Sequence, residues 1–475
     1  MRIRLDHTYS ASEIAKLTGG TKVGPEAFSA FLSTDSREMV AGDIFVALRG
    51  ENNDGHAFLP EAMRRGAAIL LREEDGYIKD HKKDNDFPMI LLPDTTKALA
   101  DLGRAARMRI APTVIAITGS VGKTTTKNMV ASVLGMHYRT HATPQNHNNL
   151  LGTALTLLAM PADTEILVAE LGMNHRGEMA ELSSLVQPDI AVITNIGSAH
   201  IGNLGSRSNI AAAKLEILLS CTPGALYLYP GNEPLLCPPC QTGVTPMTVS
   251  SGPRDTCYWE NLHTEGNLTV TDIRMGEHIF RSLPLPGAGA HIASCSCFAV
   301  AIGVTLGLTE NEIRTGLTRC PTDALRQNIY QQGGVCIIRD CYNASPESMT
   351  AACGVLMQTP GRRHVALLGD MLELGSQTRR FHEEIGAHFA SAGLDFLLTF
   401  GVAAGNFATG AAAAGMPAAH ILQNADPNRP EISAQQLKNI LCSGDVLLVK
   451  ASRALAAERI LALLPDHFPS ERNLL

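Results

Sequence analysis

The chain has 475 residues, which is too long for a single hydrophobic core, so two or three domains are expected. Its net charge of −7 and its aromatic content of 5% argue against nucleic-acid binding, which requires a basic surface and aromatic side chains. The sequence shows no apolar N-terminal stretch typical of a signal peptide, no run of about 18 apolar residues, and cysteines that are scattered. We therefore expect a cytoplasmic monomer without a membrane span or a nucleic-acid partner.

Strand and helix patterns alternate in the first part of the chain. Residues 43–48 predict a short strand, and residues 58–67 predict a helix. A second helix is predicted over residues 97–108. The β-branched run 114–118 then predicts a buried strand that leads directly into a glycine-rich loop.

The middle of the chain continues this alternation and then changes character. Buried strands are predicted at residues 166–169 and 190–193 with helical patterns between them, which indicates a parallel sheet covered by helices. Residues 230–286 are rich in Gly, Pro and Thr and predict loops with a few weak strands. A helix over 291–307 closes the block, and residues 320–321 indicate a linker.

The last part of the chain returns to alternating strands and helices. The predicted strands are 335–338, 365–368, 396–400 and 446–449. Their spacing is typical of a doubly wound domain of about 150 residues. The expected fold class for the whole chain is therefore α/β.

The most informative segment lies between a predicted strand and a predicted helix. Its loop residues are Gly119, Ser120, Val121, Gly122, Lys123, Thr124 and Thr125. Glycines let successive backbone N–H groups face an anion, and the helix N-terminus adds partial positive charge. Lys123 can then reach the β- and γ-phosphates of ATP, and the Thr124 hydroxyl can hold Mg²⁺. We predict an ATP site on a shortened phosphate loop, in preference to a chance Gly-Lys-Thr in a helix cap.

Three polar features follow the loop. Glu170 ends the strand 166–169 and His200 follows the strand 190–193, so both lie at the carboxyl ends of parallel strands, where ligands bind. Asn149 precedes an amphipathic helix. Taken singly, each residue is explained as well by a helix-capping or surface position as by a functional role. Taken together, Glu170 and His200 favour a metal site, because Mg²⁺ prefers carboxylate ligands.

Two other features have plain alternatives. Lys214 lies in an alanine-rich helical segment, where spacing alone favours a surface lysine paired with a neighbouring glutamate. Cys237 and Cys240 have CxxC spacing, but no second pair lies at ligand distance. Surface thiols are therefore favoured over a metal or redox site.

The chain resembles the ATP-dependent Mur ligases of peptidoglycan synthesis over nearly its whole length. The resemblance rests on the short phosphate loop and on the segments 33–37, 42–50, 54–58, 170–178, 340–349 and 369–375. The last three segments are similar to the branch of the family that adds D-alanyl-D-alanine. An Asp-Asn-Pro-Arg element, expected for the tripeptide-forming branch, is not found in the last domain.

The resemblance implies three domains and an activity. Residues 1–95 would form an N-terminal UDP-substrate domain, residues 96–322 a central P-loop ATPase-like domain with a parallel sheet, and residues 323–475 a C-terminal Rossmann-like domain. The implied activity is ATP-dependent ligation of D-alanyl-D-alanine to UDP-N-acetylmuramoyl-tripeptide through an acyl phosphate. Mg²⁺ in two sites is the implied cofactor.

The resemblance also implies roles for individual residues. Lys123, Lys214 and His200 would take part in catalysis, and Lys214 stands where the family carries a carbamylated lysine, which reverses the preference for a surface lysine. The phosphate loop would bind ATP together with Asn149, Arg326, Asp340 and Asn343. The implied metal ligands are Thr124, Glu170, His200 and Lys214. The implied substrate-binding residues are Ser33, Thr34, Asp35, Arg37, Asn174, Ser452 and Arg453.

One of the departures from the family pattern concerns adenine recognition. Four residues after a Gly-x-His element the family usually has an asparagine that contacts adenine, whereas this chain has Cys295 after His291. We therefore expect binding to depend on the phosphates more than on the adenine.

Two alternatives remain open at this point. The first is another ligase that shares the short phosphate loop and the carbamate lysine, either of the Mur type or like folylpolyglutamate synthase. The N-terminal Asp35-Ser36-Arg37 domain argues against the folylpolyglutamate-synthase-like ligase. A nucleotide-controlled assembly switch without ligase chemistry would have no need for Glu170, His200 and Lys214 together.

Overall fold

A computed structural model describes residues 1–50, 53–74, 87–237, 243–250, 252–265, 268–321 and 323–470. It contains three mixed α/β units, each built on its own sheet. The three sheets lie one in each of the predicted segments 1–95, 96–322 and 323–475, whereas the boundary residues themselves stay predictions. Within the described ranges, no helix is both long enough and apolar enough to cross a bilayer.

The first unit is a six-stranded sheet in the order β1-β3-β4-β5-β6-β2. Its elements are β1 (Arg2–Ser10), α1 (Ala11–Thr18), β2 (Thr21–Val23), β3 (Phe28–Ser33), β4 (Ile44–Val46), α2 (Leu59–Arg64), β5 (Ile69–Glu73), β6 (Met89–Leu92) and α3 (Thr95–Ile110). Strands β3 to β6 are parallel, and β1 and β2 run antiparallel at the edges. The strand predicted at 43–48 and the helix predicted at 58–67 are both confirmed in shorter form.

The second unit is a nine-stranded sheet in the order β15-β14-β13-β12-β11-β10-β7-β9-β8. Its elements are β7 (Thr113–Thr118), α4 (Lys123–Leu134), β8 (Thr140–Ala142), α5 (Leu150–Leu158), β9 (Ile166–Glu170), α6 (Glu178–Val186), β10 (Ile190–Ile193), α7 (Ile201–Leu204), α8 (Arg207–Leu215), β11 (Leu226–Tyr229), β12 (Thr245–Ser250), β13 (Cys257–Glu265), β14 (Leu268–Met275), β15 (His278–Pro284), α9 (Ala290–Thr305) and α10 (Glu310–Thr318). Strands β7 to β13 run parallel to one another, so the carboxyl ends of β7, β9 and β10 meet at one edge of the sheet.

The predictions for this unit are confirmed at the central strands and fall short at its far end. Strands β9 and β10 are fully buried, as is β7 after its first residue, because helices cover both faces of the parallel sheet. The stretch 230–286, by contrast, is more regular than predicted. It holds an antiparallel ladder in which β13 has nine residues, β14 eight and β15 seven. Its polar residues and glycine turns favour a loop prediction, whereas the strands are stabilised by pairing with one another.

The third unit is a six-stranded sheet in the order β16-β17-β21-β18-β19-β20. Its elements are β16 (Asn328–Gln332), β17 (Val335–Asp340), α11 (Pro346–Gln358), β18 (His364–Gly369), α12 (Thr378–Ser391), β19 (Phe396–Phe400), α13 (Gly405–Ala413), β20 (Ile421–Asn424), α14 (Pro430–Ile440), β21 (Val446–Lys450) and α15 (Glu458–Leu461). All pairs are parallel except β16 with β17. The predicted doubly wound α/β unit is therefore confirmed, with each predicted strand inside an observed one.

Short 3₁₀ helices occupy several connections. They are Gly55–Phe58, Glu216–Ser220, Pro234–Leu236, Gly375–Gln377, Ala418–His420 and Arg453–Leu455. Two of them, Gly375–Gln377 and Arg453–Leu455, follow the carboxyl ends of β18 and β21. Ligands of open α/β sheets bind at such strand ends.

Candidate active site

The loop between β7 and α4 has a backbone that only glycine fits at two positions. Gly119 has φ +152° and Gly122 has φ +83°, both outside the range that most side chains adopt. A methyl group on Gly119 would lie 1.9 Å from Thr194 Oγ1, so the position has no room for a side chain. Helix α4 starts at Lys123 without a side-chain cap, and its N-terminus is left available for an anion.

The segment after β10 holds this loop in shape. Asn195 Oδ1 accepts hydrogen bonds from the backbone N–H groups of Ser120 at 3.1 Å and Val121 at 2.9 Å. Thr194 Oγ1 donates to the carbonyl oxygen of Val121, and the N–H of Gly197 donates to Ser120 Oγ. The carboxyl end of β10 therefore supports the phosphate loop from one side.

Two lysine side chains converge on one carbonyl group of the loop. Lys123 Nζ lies 2.9 Å and Lys214 Nζ 3.0 Å from the carbonyl oxygen of Gly119, which accepts from both. Lys214 is only 1% exposed, so the surface alternative for this residue is wrong. Burial, followed by the charge of Lys123, holds the pKa of Lys214 well below its ordinary value, and burial also lowers the pKa of Lys123. Two buried amines that share one carbonyl oxygen form a site suited to an anion.

Glu170 presents an oxygen without a hydrogen-bond donor. Its Oε1 accepts from Asn148 Nδ2 at 2.9 Å, whereas its Oε2 is buried and has no hydrogen-bond partner. The buried Lys127 Nζ lies 3.9 Å from Oε2 and donates instead to the carbonyl oxygen of Thr143. A buried carboxylate oxygen of this kind fits a bound cation. Within the described ranges, however, no group of three or more His, Cys, Asp or Glu side chains could hold a metal ion.

The third unit reaches across to the phosphate loop. Arg326 Nη2 donates to Thr124 Oγ1 at 3.0 Å, and its guanidinium stacks 3.7 Å from the ring centre of Tyr342. Glu347, in the first turn of α11, accepts hydrogen bonds from the backbone N–H and the hydroxyl of Ser198 at 2.7 and 2.9 Å. The third unit thus closes over the second at the end of the sheet where β7 and β10 terminate.

Other predicted residues of the third unit are held by its own side chains. Lys450 Nζ donates to Asp340 Oδ2 at 2.7 Å and to the carbonyl oxygen of Asn343 at 2.9 Å. Ser452 Oγ accepts from the backbone N–H of Leu372 at 3.0 Å. Arg453 is half-exposed and pairs with Glu458 at 2.7 Å.

A cavity of about 1280 Å³ lies between the second and third units. It is large enough for a nucleotide and a second ligand together. The predicted site residues that line it are Ser120, Val121, Gly122, Lys123, Thr124, Thr125, Asn149, Glu170, Asn174, His200, Arg326, Asp340, Asn343, Ser452 and Arg453. Asn149 also caps α5 through Oδ1, which accepts from the N–H of Gly152, so the cap alternative holds for this residue as well.

Three family models match the chain in sequence order. A Mur ligase family catalytic domain matches residues 29–107, a Mur ligase middle domain residues 117–302, and a Mur ligase glutamate ligase domain residues 326–453. A UDP-N-acetylmuramoyl-tripeptide–D-alanyl-D-alanine ligase of Bacillus subtilis is 35% identical over 95% of this chain and 97% of its own length. The chain belongs to the Mur ligase family.

Solved structures agree with this Mur ligase assignment. MurF from Acinetobacter baumannii matches with a TM-score of 0.86 and 29% identity, over 97% of this chain and 99% of that one. MurF from Thermotoga maritima in complex with ADP matches with a TM-score of 0.80 and 29% identity, over 91% and 96% of the two chains. The folylpolyglutamate-synthase-like alternative is not favoured, because these likenesses extend through the N-terminal unit.

Some residues predicted for this Mur ligase lie away from the cavity. The N-terminal substrate residues lie at the end of β3, which Ser33 terminates, and just after it. None of the four, Ser33, Thr34, Asp35 and Arg37, is among the described residues that line the cavity. Asp35 pairs with Arg37 at 2.7 Å, and this pairing holds the pKa of the Asp35 carboxyl below its usual range. Their role in substrate binding stays a prediction.

The cysteines singled out in the sequence lie in different surroundings. Cys295 is buried and lines the cavity on α9, with its Sγ 3.2 Å from where a methyl group on Gly122 would lie. Burial raises the pKa of this thiol to about 11, so it is a neutral group beside the loop. Cys237 is an exposed free thiol, whereas Cys240 lies outside the described residues.

Several site residues of this Mur ligase were missed in the sequence. Asn195 and Thr194 directly follow β10, so the strand-end reasoning that selected His200 applies to them equally. Glu373 lies in the segment 369–375 that carried part of the resemblance, and its carboxylate is 2.6 Å from His200 Nδ1. Lys127 carries no local signal, because its partner Glu170 is distant in sequence.

Proposed function

We propose that this chain is an ATP-dependent ligase that joins D-alanyl-D-alanine to UDP-N-acetylmuramoyl-tripeptide and releases ADP and phosphate. The observation that carries the proposal is the near full-length likeness to a ligase of that name, which includes the N-terminal unit. The phosphate loop and the third unit meet at one cavity, as a ligase with a nucleotide and two further substrates requires. The ADP complex of the Thermotoga maritima structure supports a nucleotide in this cavity.

The chemistry begins with activation of a carboxylate, which is a poor electrophile on its own. The terminal carboxylate of the tripeptide attacks the γ-phosphorus of ATP, the bond to ADP breaks, and an acyl phosphate forms. The ammonium group of D-alanyl-D-alanine gives up one proton to solvent, and the free amine then attacks the acyl carbon. Phosphate leaves with the electron pair of the broken C–O bond, and the nitrogen loses a second proton as the amide forms. Lys123, Arg326 and the N-terminus of α4 would stabilise the negative charge on the transferring phosphoryl group.

Mg²⁺ fits the residues that surround the phosphate loop. Thr124, Glu170 and His200 would contribute ligands, and the buried Glu170 Oε2 without a hydrogen-bond donor is the observation that supports a cation there. The ion would neutralise charge on the phosphates when bound. Because the described side chains do not form a complete ligand set, ATP oxygens and a modified Lys214 would supply the remainder in two metal sites.

We propose that Lys214 is carbamylated, as the family resemblance implies, and its surroundings support this. Burial and the charge of Lys123 hold the pKa of Lys214 well below its ordinary value, which favours the neutral amine, the form that adds to CO₂. An N–C bond forms, and the nitrogen loses one proton to solvent. The product places a carboxylate beside Lys123, whose positive charge disfavours an ammonium group at Lys214 but attracts a carbamate.

The remaining assignments complete this proposal. The N-terminal unit would hold the UDP end of the larger substrate through the segment 33–37, and the three domains would follow the limits 1–95, 96–322 and 323–475. The protein would act in the cytoplasm, where ATP and nucleotide-linked precursors are available. We also propose that it acts as a monomer, with all catalytic groups in one chain.

A phosphate-release panel tests this function. Phosphate should appear only when ATP, a UDP-N-acetylmuramoyl-tripeptide and D-alanyl-D-alanine are all present. Lys123→Ala should abolish this release, whereas Lys97→Ala, an exposed lysine on α3, should leave it unchanged. Hydrolysis of ATP with neither other substrate would favour the assembly switch, and near-normal turnover by Lys123→Ala would contradict the ATP site.

A further inference from the structure

Glu373 is a carboxylate of the cavity to which no role has been assigned. Its side chain is 53% exposed, and its carboxylate contacts His200 Nδ1 at 2.6 Å across the interface between the two units. The remaining carboxylates of the described cavity lining each receive a hydrogen bond or an ion pair from a neighbouring residue: Asp323 from Arg326, Asp340 from Lys450, Glu178 from His175, Glu347 from Ser198 and Glu170 from Asn148.

The backbone holds Glu373 in this place against its own preference. Glu373 and His200 both have φ +63°, a left-handed backbone conformation that residues other than glycine rarely adopt. The carbonyl oxygen of Glu373 accepts from the N–H of Gly202 at 3.0 Å, and a methyl group on Gly202 would lie 2.8 Å from that oxygen. Unusual backbone conformations that persist at a ligand cavity are commonly retained for function.

The position lies within electrostatic reach of the reaction centre. Burial lowers the pKa of Lys123, and the charge of Glu373 is among those that oppose this shift. A negative carboxylate near a triphosphate is unfavourable unless a cation lies between them. An ammonium group bound beside the phosphate loop would offset the negative charge of the Glu373 carboxylate.

The neighbouring segment offers the opposite charge. The N–H of Leu372 donates to Ser452 Oγ, which places Glu373 and Arg453 on adjacent segments at the edge of one cavity. A dipeptide at neutral pH carries an ammonium group and a carboxylate about 7 Å apart when extended. Glu373 and Arg453 carry charges opposite to those of its two ends, and the contact of Arg453 with Glu458 uses only Nη1 of the guanidinium.

We propose that Glu373 binds the ammonium group of the incoming dipeptide and directs its nitrogen toward the phosphate loop, an inference that rests on the proposed function. The amine must approach the activated carboxyl group with its nitrogen leading. Glu373 fixes that orientation by accepting hydrogen bonds from the ammonium, while Arg453 receives the carboxylate. The result is selection for substrates with a free amino terminus.

Glu373→Gln tests the proposal because it removes the charge and keeps the shape. The KM for D-alanyl-D-alanine should rise about ten- to a hundredfold, as expected for loss of a hydrogen bond to a charged group. The inhibition constant of propionyl-D-alanine, which has no amino group and cannot react, should stay within about twofold, as should the Mg²⁺ concentration for half-maximal rate. Glu373→Asp should recover part of the loss, because it restores the charge.

Controls separate this inference from simpler explanations. Glu384→Gln, an exposed carboxylate on α12 that pairs with Arg380, should match the wild type in every measurement. The inference is overturned if the KM for the dipeptide is unchanged, if it rises together with the inhibition constant of propionyl-D-alanine, or if the Mg²⁺ requirement shifts instead. If the wild-type chain does not use the dipeptide at all, the proposed function fails and this inference falls with it.

Discussion

Gly119→Ala should weaken nucleotide binding through a clash that the structure locates. The new methyl group would lie 1.9 Å from Thr194 Oγ1, and the residue would have to keep φ +152°. Backbone strain of this kind costs about 1–3 kcal/mol, and overpacking adds about 1–3 kcal/mol. Even the lower sum of about 2 kcal/mol raises the Kd for ATP or ADP about thirtyfold. Calorimetric titration with ADP measures this change directly.

A second substitution separates the two contributions. In a Thr194→Ala background the hydroxyl oxygen is absent, and the nearest remaining atoms are Thr194 Cβ at 3.1 Å and its backbone nitrogen at 3.2 Å from the methyl position. Gly119→Ala should therefore cost less in that background, because the 1.9 Å clash is removed while the backbone strain and the milder contacts remain. Binding by Gly119→Ala within about threefold of the wild type, or equal costs in both backgrounds, would refute the reasoning.

Two further predictions concern buried titratable groups. Lys214→Ala should lose nearly all turnover, and acetate or another short carboxylic acid should restore part of it; full activity without any rescue would argue against the carbamate. His382 is buried, and its Nε2 accepts from the N–H of Met371 at 3.0 Å, so the folded protein requires the neutral ring. Burial lowers the pKa of His382, so below pH 6.5 the unfolded chain takes up a proton that the folded chain does not, and stability falls as the pH falls. In urea unfolding, the free energy of unfolding of the wild type should fall relative to that of His382→Gln, by up to about 1.4 kcal/mol per pH unit. Parallel pH profiles for the two proteins would contradict this prediction.

Much of the fold could be predicted because its strands carry strong local signals. The runs that form β7, β10 and β19 are apolar, short and rich in β-branched or aromatic residues, so each was located to within one residue. The antiparallel strands β13 and β14 were underestimated, because their stability depends on pairing with one another. Such pairing is not visible in the composition of one segment.

The site divides in the same way. Lys123 and Thr124 belong to a loop whose residues are contiguous, so their proximity to phosphate follows from spacing. The burial of Lys214 could not be predicted from spacing, because its partner, the carbonyl oxygen of Gly119, is distant in sequence. The sequence of helix α8 alone does not show which of its faces is buried. The contact of Glu373 with His200 depends on how two units pack, which no local pattern encodes.

The central claim is that ATP activates the tripeptide carboxylate before the amide bond forms. UDP-N-acetylmuramoyl-tripeptide with ¹⁸O in its terminal carboxylate, incubated with ATP, D-alanyl-D-alanine and this protein, tests that claim directly. Mass spectrometry should show one ¹⁸O atom in the phosphate released for each amide bond formed, because the acyl C–O bond breaks when the amine attacks. Amide product accompanied by unlabelled phosphate would contradict the account.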